Sequence, residues 1–258
     1  MSPLDSSPTE PPILLEIVVQ SMADARAAEA GGAHRLELCV GLNDGGLTPP
    51  ATLVEAVVAA VAVPVNVLIR PRGGDFVLDD EELELMCADV RASRAAGAAG
   101  VVIGALTPEG DVDCARMGKL IAAARPLEVT FHRAFDHTRD PLAAFSVLTE
   151  LGVDRLLTSG QRASAPEGSA LIAKLVAMSS AREPAQPLVM AGGGVRPANV
   201  AELVETTSVR EVHSSASAEH PSPARHVNES VPLGPTHASR RHGVDMQVVR
   251  DLMVALQK

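Results

Sequence analysis

Residues 127–158 read LEVTFHRAFDHTRDPLAAFSVLTELGVDRLLT, and their pattern decides the fold. The run Leu127–His132 is short and alternates apolar with polar side chains, as expected of a strand. The segment Asp140–Leu151 opens on a helix-capping residue, continues with proline and then carries regularly spaced apolar side chains. Arg155–Thr158 is a second strand pattern. Because parallel strands need a crossover connection, this strand–helix–strand order predicts one parallel β/α unit.

The same unit repeats along the whole chain. Strands are predicted at Ile13–Val19, Arg35–Cys39, Pro64–Ile69, Gly100–Gly104, Leu127–His132, Arg155–Thr158, Leu188–Ala191 and Glu211–Ser214. Helices are predicted at Met22–Ala30, Ala51–Val61, Asp80–Ala96, Asp113–Ala124, Asp140–Leu151, Glu167–Ser180 and Pro197–Thr206. A doubly wound open sheet usually has five or six strands, so eight even units favour a closed barrel. The fold class predicted is α/β, a single (β/α)8 TIM-type barrel, for which 258 residues is an ordinary length.

The predicted domain organisation is simple. Residues 1–12 are rich in proline, serine and acidic side chains and are expected to form a disordered tail, and 13–258 form one barrel domain. Within it, 215–243 lacks periodicity and is expected to be a long loop. A C-terminal helix is expected at 244–257.

Composition excludes several classes of protein. The formal net charge is −10 and no basic stripe is present, which argues against nucleic-acid binding. No apolar run is long enough to cross a membrane, and the N-terminus lacks the pattern of a signal peptide. Three cysteines without metal-type spacing fit a reducing cytosol rather than a disulfide framework.

Polar residues gather where the predicted strands end, which is where barrels of this type place their active sites. Arg70 and Arg72 follow the third strand, in a glycine-containing loop, and could bind a carboxylate or phosphate. His132, Arg133 and Asp136 follow the fifth, and His132 is a candidate general acid or base. The alternatives are an arginine–aspartate pair that only fixes a loop and a core histidine bonded to a carboxylate.

Two carboxylates lie within strands rather than at their ends. Glu16 and Glu37 are costly to bury unless they are paired, and Arg35 and Arg70 are the natural partners if the acids point into the barrel. They could serve as a general base or metal ligand, or form an internal salt-bridge layer. The sequence leaves both interpretations open.

The last three predicted strands lead into loops of small residues that could bind an anion through backbone N–H groups and hydroxyls. The alternative is tight turns that need glycine for conformation alone. The candidates are Thr158, Ser159, Gly160, Gly192, Gly193, His213 and Ser214.

Cys39 ends the second strand and is the candidate ligand for copper(I), a soft metal that prefers thiolate and thioether ligands. Met190 and His213 are other conceivable ligands at strand ends. A buried structural cysteine is the alternative.

Several of these stretches together resemble the CutC family, named for copper homeostasis. They are Leu15–Ile17, Gly32–Cys39, Gly45–Pro49, Ile69–Phe76, Val129–Asp136, Leu157–Gly160 and Glu211–Ser215. The resemblance implies a β/α barrel, a cytoplasmic location, a homo-oligomer of dimer type and a role in copper homeostasis with Cu(I) binding. This sequence departs from the family pattern at Val18, where some relatives have a cysteine, and at 224–228, where only Arg225 and Asn228 match.

Two functional hypotheses follow, and whether the chain is an enzyme stays open between them. The first is copper homeostasis through direct Cu(I) binding, with Cys39 as the leading ligand. The second is an enzyme acting on a small anionic or phosphorylated metabolite, in which the arginines and loop amides hold the anion. There, His132 moves a proton, assisted by Glu16 or Glu37. A scaffold barrel without chemistry is a third, blander interpretation.

Overall fold

A computed structural model describes residues 12–226, 228, 230–231 and 240–257. The predicted tail, apart from Pro12, lies outside these residues. Within them, eight parallel strands close into a barrel in sequence order, with the last paired to the first. They are β1 Leu14–Val19, β2 Arg35–Leu38, β3 Val65–Leu68, β4 Gly100–Ile103, β5 Glu128–Phe131, β6 Arg155–Thr158, β7 Leu188–Gly192 and β8 Glu211–Ser214. The predicted (β/α)8 barrel is confirmed.

The helices follow the predicted order and differ from the prediction by a few residues at their ends. They are α1 Met22–Gly31, α2 Ala51–Ala60, α3 Asp80–Ala95, α4 Cys114–Ala124, α5 Pro141–Glu150, α6 Ser169–Ser180, α7 Val200–Thr207 and α8 Met246–Ala255. Asp113 and Asp140 each cap a helix by accepting from backbone N–H groups of its first turn. Pro197 instead precedes α7 in a turn, and the helix begins three residues later than predicted.

The predicted loop at 215–243 carries paired strands at its two ends. β9 Ser217–Pro221 runs antiparallel to β10 Arg240–Val244. Part of this ribbon is fixed by α1, since the backbone N–H of Val244 donates to the Asp24 carboxylate over 2.9 Å. The side chains of β9 are exposed or half-buried, so its sequence lacks the apolar alternation of a strand that covers a core. α8 then starts at Met246 behind an Asp245 cap, two residues later than expected.

Strand alternation divides the barrel into two different environments. Outward side chains such as Leu15, Ile17 and Val19 are fully buried beneath the helices and form an aliphatic core. Inward side chains in the lower part of the barrel are charged or polar, where aliphatic residues usually dominate. Among the helices of the described residues, none combines the length and apolar character needed to span a bilayer.

Candidate functional site

Four charged side chains form a continuous network inside the barrel. Arg35 donates to both Glu16 and Glu211, the latter over 2.6 Å. Arg155 also donates to Glu211 and reaches the outer residue Glu128 at 3.2 Å. The network is the internal salt-bridge layer that was one of the two interpretations of the sequence. The partner of Glu16 in it is Arg35 and not Arg70. Sequence reasoning missed Arg155 and Glu211, although both occupy inward positions of their strands like Arg35.

Glu16 also belongs to a second group, in which three titratable side chains meet at the base of the pocket at the C-terminal end of the barrel. His213 Nδ1 lies 2.9 Å from Glu16 Oε1. Glu16, Glu37 and His213 each offer a potential ligand atom within 4.8 Å of the others. Oε2 of Glu37 has no hydrogen-bond partner among the described residues. We call Glu16, Glu37 and His213 the floor cluster.

Burial and charge separate the pKa values within the floor cluster. Burial alone would raise the pKa of Glu16, but Arg35 and His213 outweigh it and lower the pKa to about 2. Burial, with the negative charge of Glu16, raises the pKa of Glu37 to about 7 and outweighs the opposing effects of His213 and Arg35. For His213, burial lowers the pKa, but its contacts with Glu16 and Glu37 prevail and raise it. The cluster can therefore exchange protons near neutrality or, once deprotonated, bind a cation.

His132 lines the same pocket as Glu37 and His213 but lies in a different electrostatic environment. It precedes a 3-10 helix, Arg133–His137, and its Nδ1 accepts the backbone N–H of Ala134 over 3.1 Å. Burial, followed by the positive charge of Arg70, lowers the pKa of His132 to about 3. A neutral ring that accepts at Nδ1 carries its proton on Nε2, and that atom has no partner within the described residues. His132 is thus a hydrogen-bond donor that lines the pocket.

Arg70 forms the adjacent wall, at the end of β3. Its guanidinium donates to three backbone carbonyls, those of Asp44 (2.7 Å), Gly46 (3.0 Å) and Gly74 (2.8 Å). It also lies over the ring of Phe76, 5.1 Å from the centroid. In the described part of the chain it makes no contact with a carboxylate close enough to be an ion pair. The loops therefore hold its position without an ion-pair contact, and only the more distant charges of Asp44 and Asp75 act against burial and the charge of Arg72 on its pKa, which is lowered.

Arg72, by contrast, does not line this pocket. It is 40% exposed and pairs with Glu82 and Asp75, which ties the loop to the start of α3. For Arg72 the structure shows the loop-fixing arginine–aspartate pair that the sequence analysis weighed as an alternative.

Asp136 holds the loop after β6. Its carboxylate accepts from the hydroxyl of Thr158 and from the backbone N–H groups of Ser159 and Gln161. Arg133 donates to the same carboxylate over 2.8 Å and also to the Ser159 hydroxyl. With so many donors on one carboxylate, Asp136 orders the loop that carries Thr158, Ser159 and Gly160 and positions Arg133 at the pocket.

The loops after β7 and β8 close the pocket on the side opposite Arg70. Gly193 takes a positive φ of 101°, and a Cβ there would lie 3.2 Å from Ser159, so only glycine fits without adjustment. Gly192 approaches His213 closely. Ser214 donates its hydroxyl to the carbonyl of Val195 and so joins the two loops.

A cavity of about 340 Å³ results at the mouth of the barrel. Its charged and titratable lining residues are Glu37, Arg70, His132, Arg133, Arg196 and His213. Arg196 was missed by the sequence analysis. Its position four residues after Gly192, in the loop after β7, was the available signal. Of the predicted site residues, Glu37, Arg70, His132, Arg133, Gly193, His213 and Ser214 line this cavity, whereas Arg72 does not.

Cys39 lies apart from the polar residues of the pocket, in an environment that disfavours a thiolate. Its side chain is fully buried in an apolar cluster with Val18, Leu68 and Val102. Burial, followed by the charge of Glu37, raises the pKa of the thiol strongly, which disfavours the thiolate that binds metal. Among the described residues it joins no group of three potential ligands. Met190 lies elsewhere, with its sulfur accepting from Arg35.

Comparison with known proteins gives consistent matches. The sequence model of the CutC family matches residues 13–218. A Klebsiella pneumoniae protein described as family protein CutC is 45% identical over 242 residues, covering 93% of this chain and 96% of that protein. The human copper homeostasis protein cutC homolog is 45% identical over 221 residues, covering 86% of this chain and 80% of that protein.

Comparison with solved structures gives a match to the same family. The structure described as a copper homeostasis protein CutC from Streptococcus agalactiae is 30% identical, with a TM-score of 0.74, covering 79% of this chain and 98% of that one. A phosphoribosylanthranilate isomerase from Pyrococcus furiosus is 12% identical with a TM-score of 0.56, covering 95% of this chain and 98% of that one. At that identity the likeness concerns the barrel fold alone.

Proposed function

Because the chain belongs to the CutC family, we propose that it serves copper homeostasis, the role carried in the names of its human and streptococcal relatives. We propose further that its working site is the pocket at the barrel mouth, which binds and polarises a small anionic or phosphorylated metabolite. One observation carries this assignment. The cation of Arg70, which forms no ion pair within the described residues, lies in the same pocket as the buried Nε2 of His132, which has no hydrogen-bond partner there.

The pocket is electrostatically suited to an anion although the chain as a whole is acidic. Arg70, Arg133 and Arg196 line it from the loops after β3, β5 and β7. Of its carboxylates, Glu37 has a pKa near 7 and so carries only part of a negative charge at neutral pH. Planar guanidinium groups match the oxygen spacing of carboxylates and phosphates.

The role of His132 in this proposal is that of a neutral donor. Sequence reasoning gave it the task of moving a proton, but a pKa of about 3 makes the ring a poor base at neutral pH. Its Nε2–H can instead donate to a carbonyl or phosphoryl oxygen of the ligand, and a fixed donor of this kind stabilises negative charge that develops there. Asp136 positions Arg133 and does not itself contact the ligand in this proposal.

A thermal-shift screen with small phosphates and carboxylates tests the proposal. A ligand at a hundred times its dissociation constant adds about 2.7 kcal/mol of stability, which is roughly 5–10 °C in melting temperature for a domain of this size. We expect the shift to disappear in His132→Gln and Arg70→Gln and to persist in Arg72→Gln, whose side chain lies outside the pocket. An equal shift in His132→Gln and in the wild type would contradict the assignment. A screen in which no phosphate or carboxylate stabilises the wild-type protein would contradict it as well.

Direct binding of copper(I) is the second candidate. It is favoured by the position of Cys39, whose apolar cluster includes Val18 and Leu68, two residues of the pocket wall. It predicts close to one equivalent of Cu(I) in a competition titration, lost in Cys39→Ser. Tight binding that survives this substitution removes Cys39 as the ligand.

We also infer a homodimer in the cytoplasm, on the resemblance to the family. Light scattering of the purified chain measures the oligomeric state directly. A monomeric mass at micromolar concentration would contradict the dimer.

A further inference from the structure

The geometry of the floor cluster points to a binding site for a divalent metal ion, of the manganese or zinc class, held by Glu16, Glu37 and His213 at the base of the pocket. This inference goes beyond the proposed function and concerns a metal other than copper(I). It rests on the disposition of three side chains from three elements, β1, β2 and β8.

The spacing of the three groups suits one ion. Their candidate ligand atoms lie within 4.8 Å of one another, and His213 Nδ1 lies 2.9 Å from Glu16 Oε1. With metal–ligand bonds of about 2.1 Å, adjacent ligands in a tetrahedral or octahedral shell are roughly 3.0–3.4 Å apart. Small side-chain movements therefore bring all three onto one ion.

An unsatisfied buried oxygen gives independent support. Glu37 is only 6% exposed, yet its Oε2 has no partner among the described residues. A buried carboxylate oxygen without a donor is costly, and a cation is the partner that its charge favours. His213 and Glu16 already contact each other, so Glu37 is the group of the cluster whose bonding is incomplete.

The surroundings of the cluster resemble the outer shell of a metal site. Arg35 donates to Oε2 of Glu16, and Asn66 reaches the same oxygen at 3.4 Å. Both contacts orient the carboxylate through Oε2, so that an ion could lie between Oε1 and the Nδ1 of His213, which contact each other in the structure. Glu37 and His213 also line the cavity, so at least one coordination position faces the pocket and could accept water or an oxygen of the ligand.

The ligand chemistry selects the metal class. Two carboxylates and one imidazole suit Mn²⁺, Fe²⁺ or Zn²⁺, whereas copper(I) prefers sulfur. Cys39 belongs to a separate apolar cluster, so the two possible metal sites of this barrel have different residues and different preferences.

Equilibrium dialysis of the full, chelator-treated chain against Mn²⁺ and Zn²⁺ alone tests the inference. We expect about one equivalent bound, with affinity reduced at least about a hundredfold in Glu37→Gln and His213→Gln. Glu128→Gln is the matched control, because it removes a carboxylate from the outer end of the same interior network and leaves the cluster intact. Cys39→Ser should also bind normally. Circular dichroism checks that each variant is folded.

A measurement on the wild-type chain keeps the test independent of folding defects. Bound Mn²⁺ is paramagnetic and should broaden the NMR signals of the His213 ring more strongly than those of exposed histidines. Less than about 0.2 equivalent bound at millimolar metal, or unchanged affinity in Glu37→Gln, would overturn the inference. Copper(I) binding that is lost only in Cys39→Ser, without Mn²⁺ or Zn²⁺ uptake, would also overturn it. Each metal is tested without metabolite, so failure here does not decide the anion pocket.

Discussion

Replacing Arg35 by methionine tests whether the interior ionic network stabilises the barrel. The substitution keeps much of the side-chain volume but removes the cation between Glu16, which is fully buried, and Glu211. Arg155 still pairs with Glu211, so the main loss falls on Glu16. Without Arg35, Glu16 can avoid a buried, unpaired charge by taking up a proton. For a carboxyl with an ordinary pKa of 4.5, protonation at pH 7 costs about 3 kcal/mol, which estimates the expected loss of stability. Breaking one partner of a buried pair typically costs about 3–5 kcal/mol, and the remaining contact with His213 favours the lower end.

The loss of unfolding free energy in Arg35→Met should depend on pH in a defined direction. The pKa of Glu16 in the folded protein is lowered to about 2, so its stabilisation is complete above pH 4.5 and is lost as pH falls towards 2. In Arg35→Met the folded protein binds that proton more readily. The difference in free energy of unfolding between wild type and variant should therefore shrink as pH falls from 7, by at most about 1.4 kcal/mol per pH unit.

Urea unfolding at pH 7, 5 and 4 measures these differences. Arg72→Met is the matched control, since Arg72 also contacts two carboxylates but is 40% exposed, and exposed pairs contribute about 0–1 kcal/mol. A loss below about 1 kcal/mol for Arg35→Met at pH 7 would refute the reasoning. A larger loss that stays constant with pH would refute the electrostatic origin and leave packing as the cause.

Three further predictions concern the pocket. The NMR signals of the His132 ring should not titrate between pH 8 and 5, because burial and a neighbouring cation lower its pKa to about 3, and a midpoint near 6.5 would contradict this. Asp136→Asn should cost about 2–3 kcal/mol in urea unfolding, because the charged acceptor of several loop hydrogen bonds is lost, and a cost under about 0.5 kcal/mol would show that the loop does not depend on it. Val18→Cys should raise copper(I) affinity at least about tenfold in a competition assay, since position 18 shares the apolar cluster of Cys39. Unchanged affinity, or a gain that persists when Cys39 is also replaced by serine, would argue against a dithiol site.

Much of the barrel was predictable because its signals are local. Short apolar runs, capped helices and their even spacing identified all eight strands, and the ends of β6 and β8 were located to the residue. The ribbon of β9 and β10 was missed because it is stabilised by contacts with α1 that no periodicity in its own sequence reveals. Arg196 was missed for a related reason, since an exposed arginine in a loop has no local feature that marks it as part of a pocket.

The sequence by itself determined the β/α repeat, the closed barrel, the family and the end of the barrel where polar residues gather. The repeat and the barrel follow from the alternation of strand and helix patterns, the site from the residue types at strand ends, and the family from the resemblance of whole stretches of sequence. Only the tertiary structure decided what each polar residue does. It paired Glu16 with Arg35, left Glu37 without a donor, made His132 a neutral donor and enclosed Cys39 in aliphatic side chains. The physical reason is that charge state and hydrogen bonding depend on neighbours within a few ångströms, and in a closed barrel those neighbours come from strands far apart in the chain.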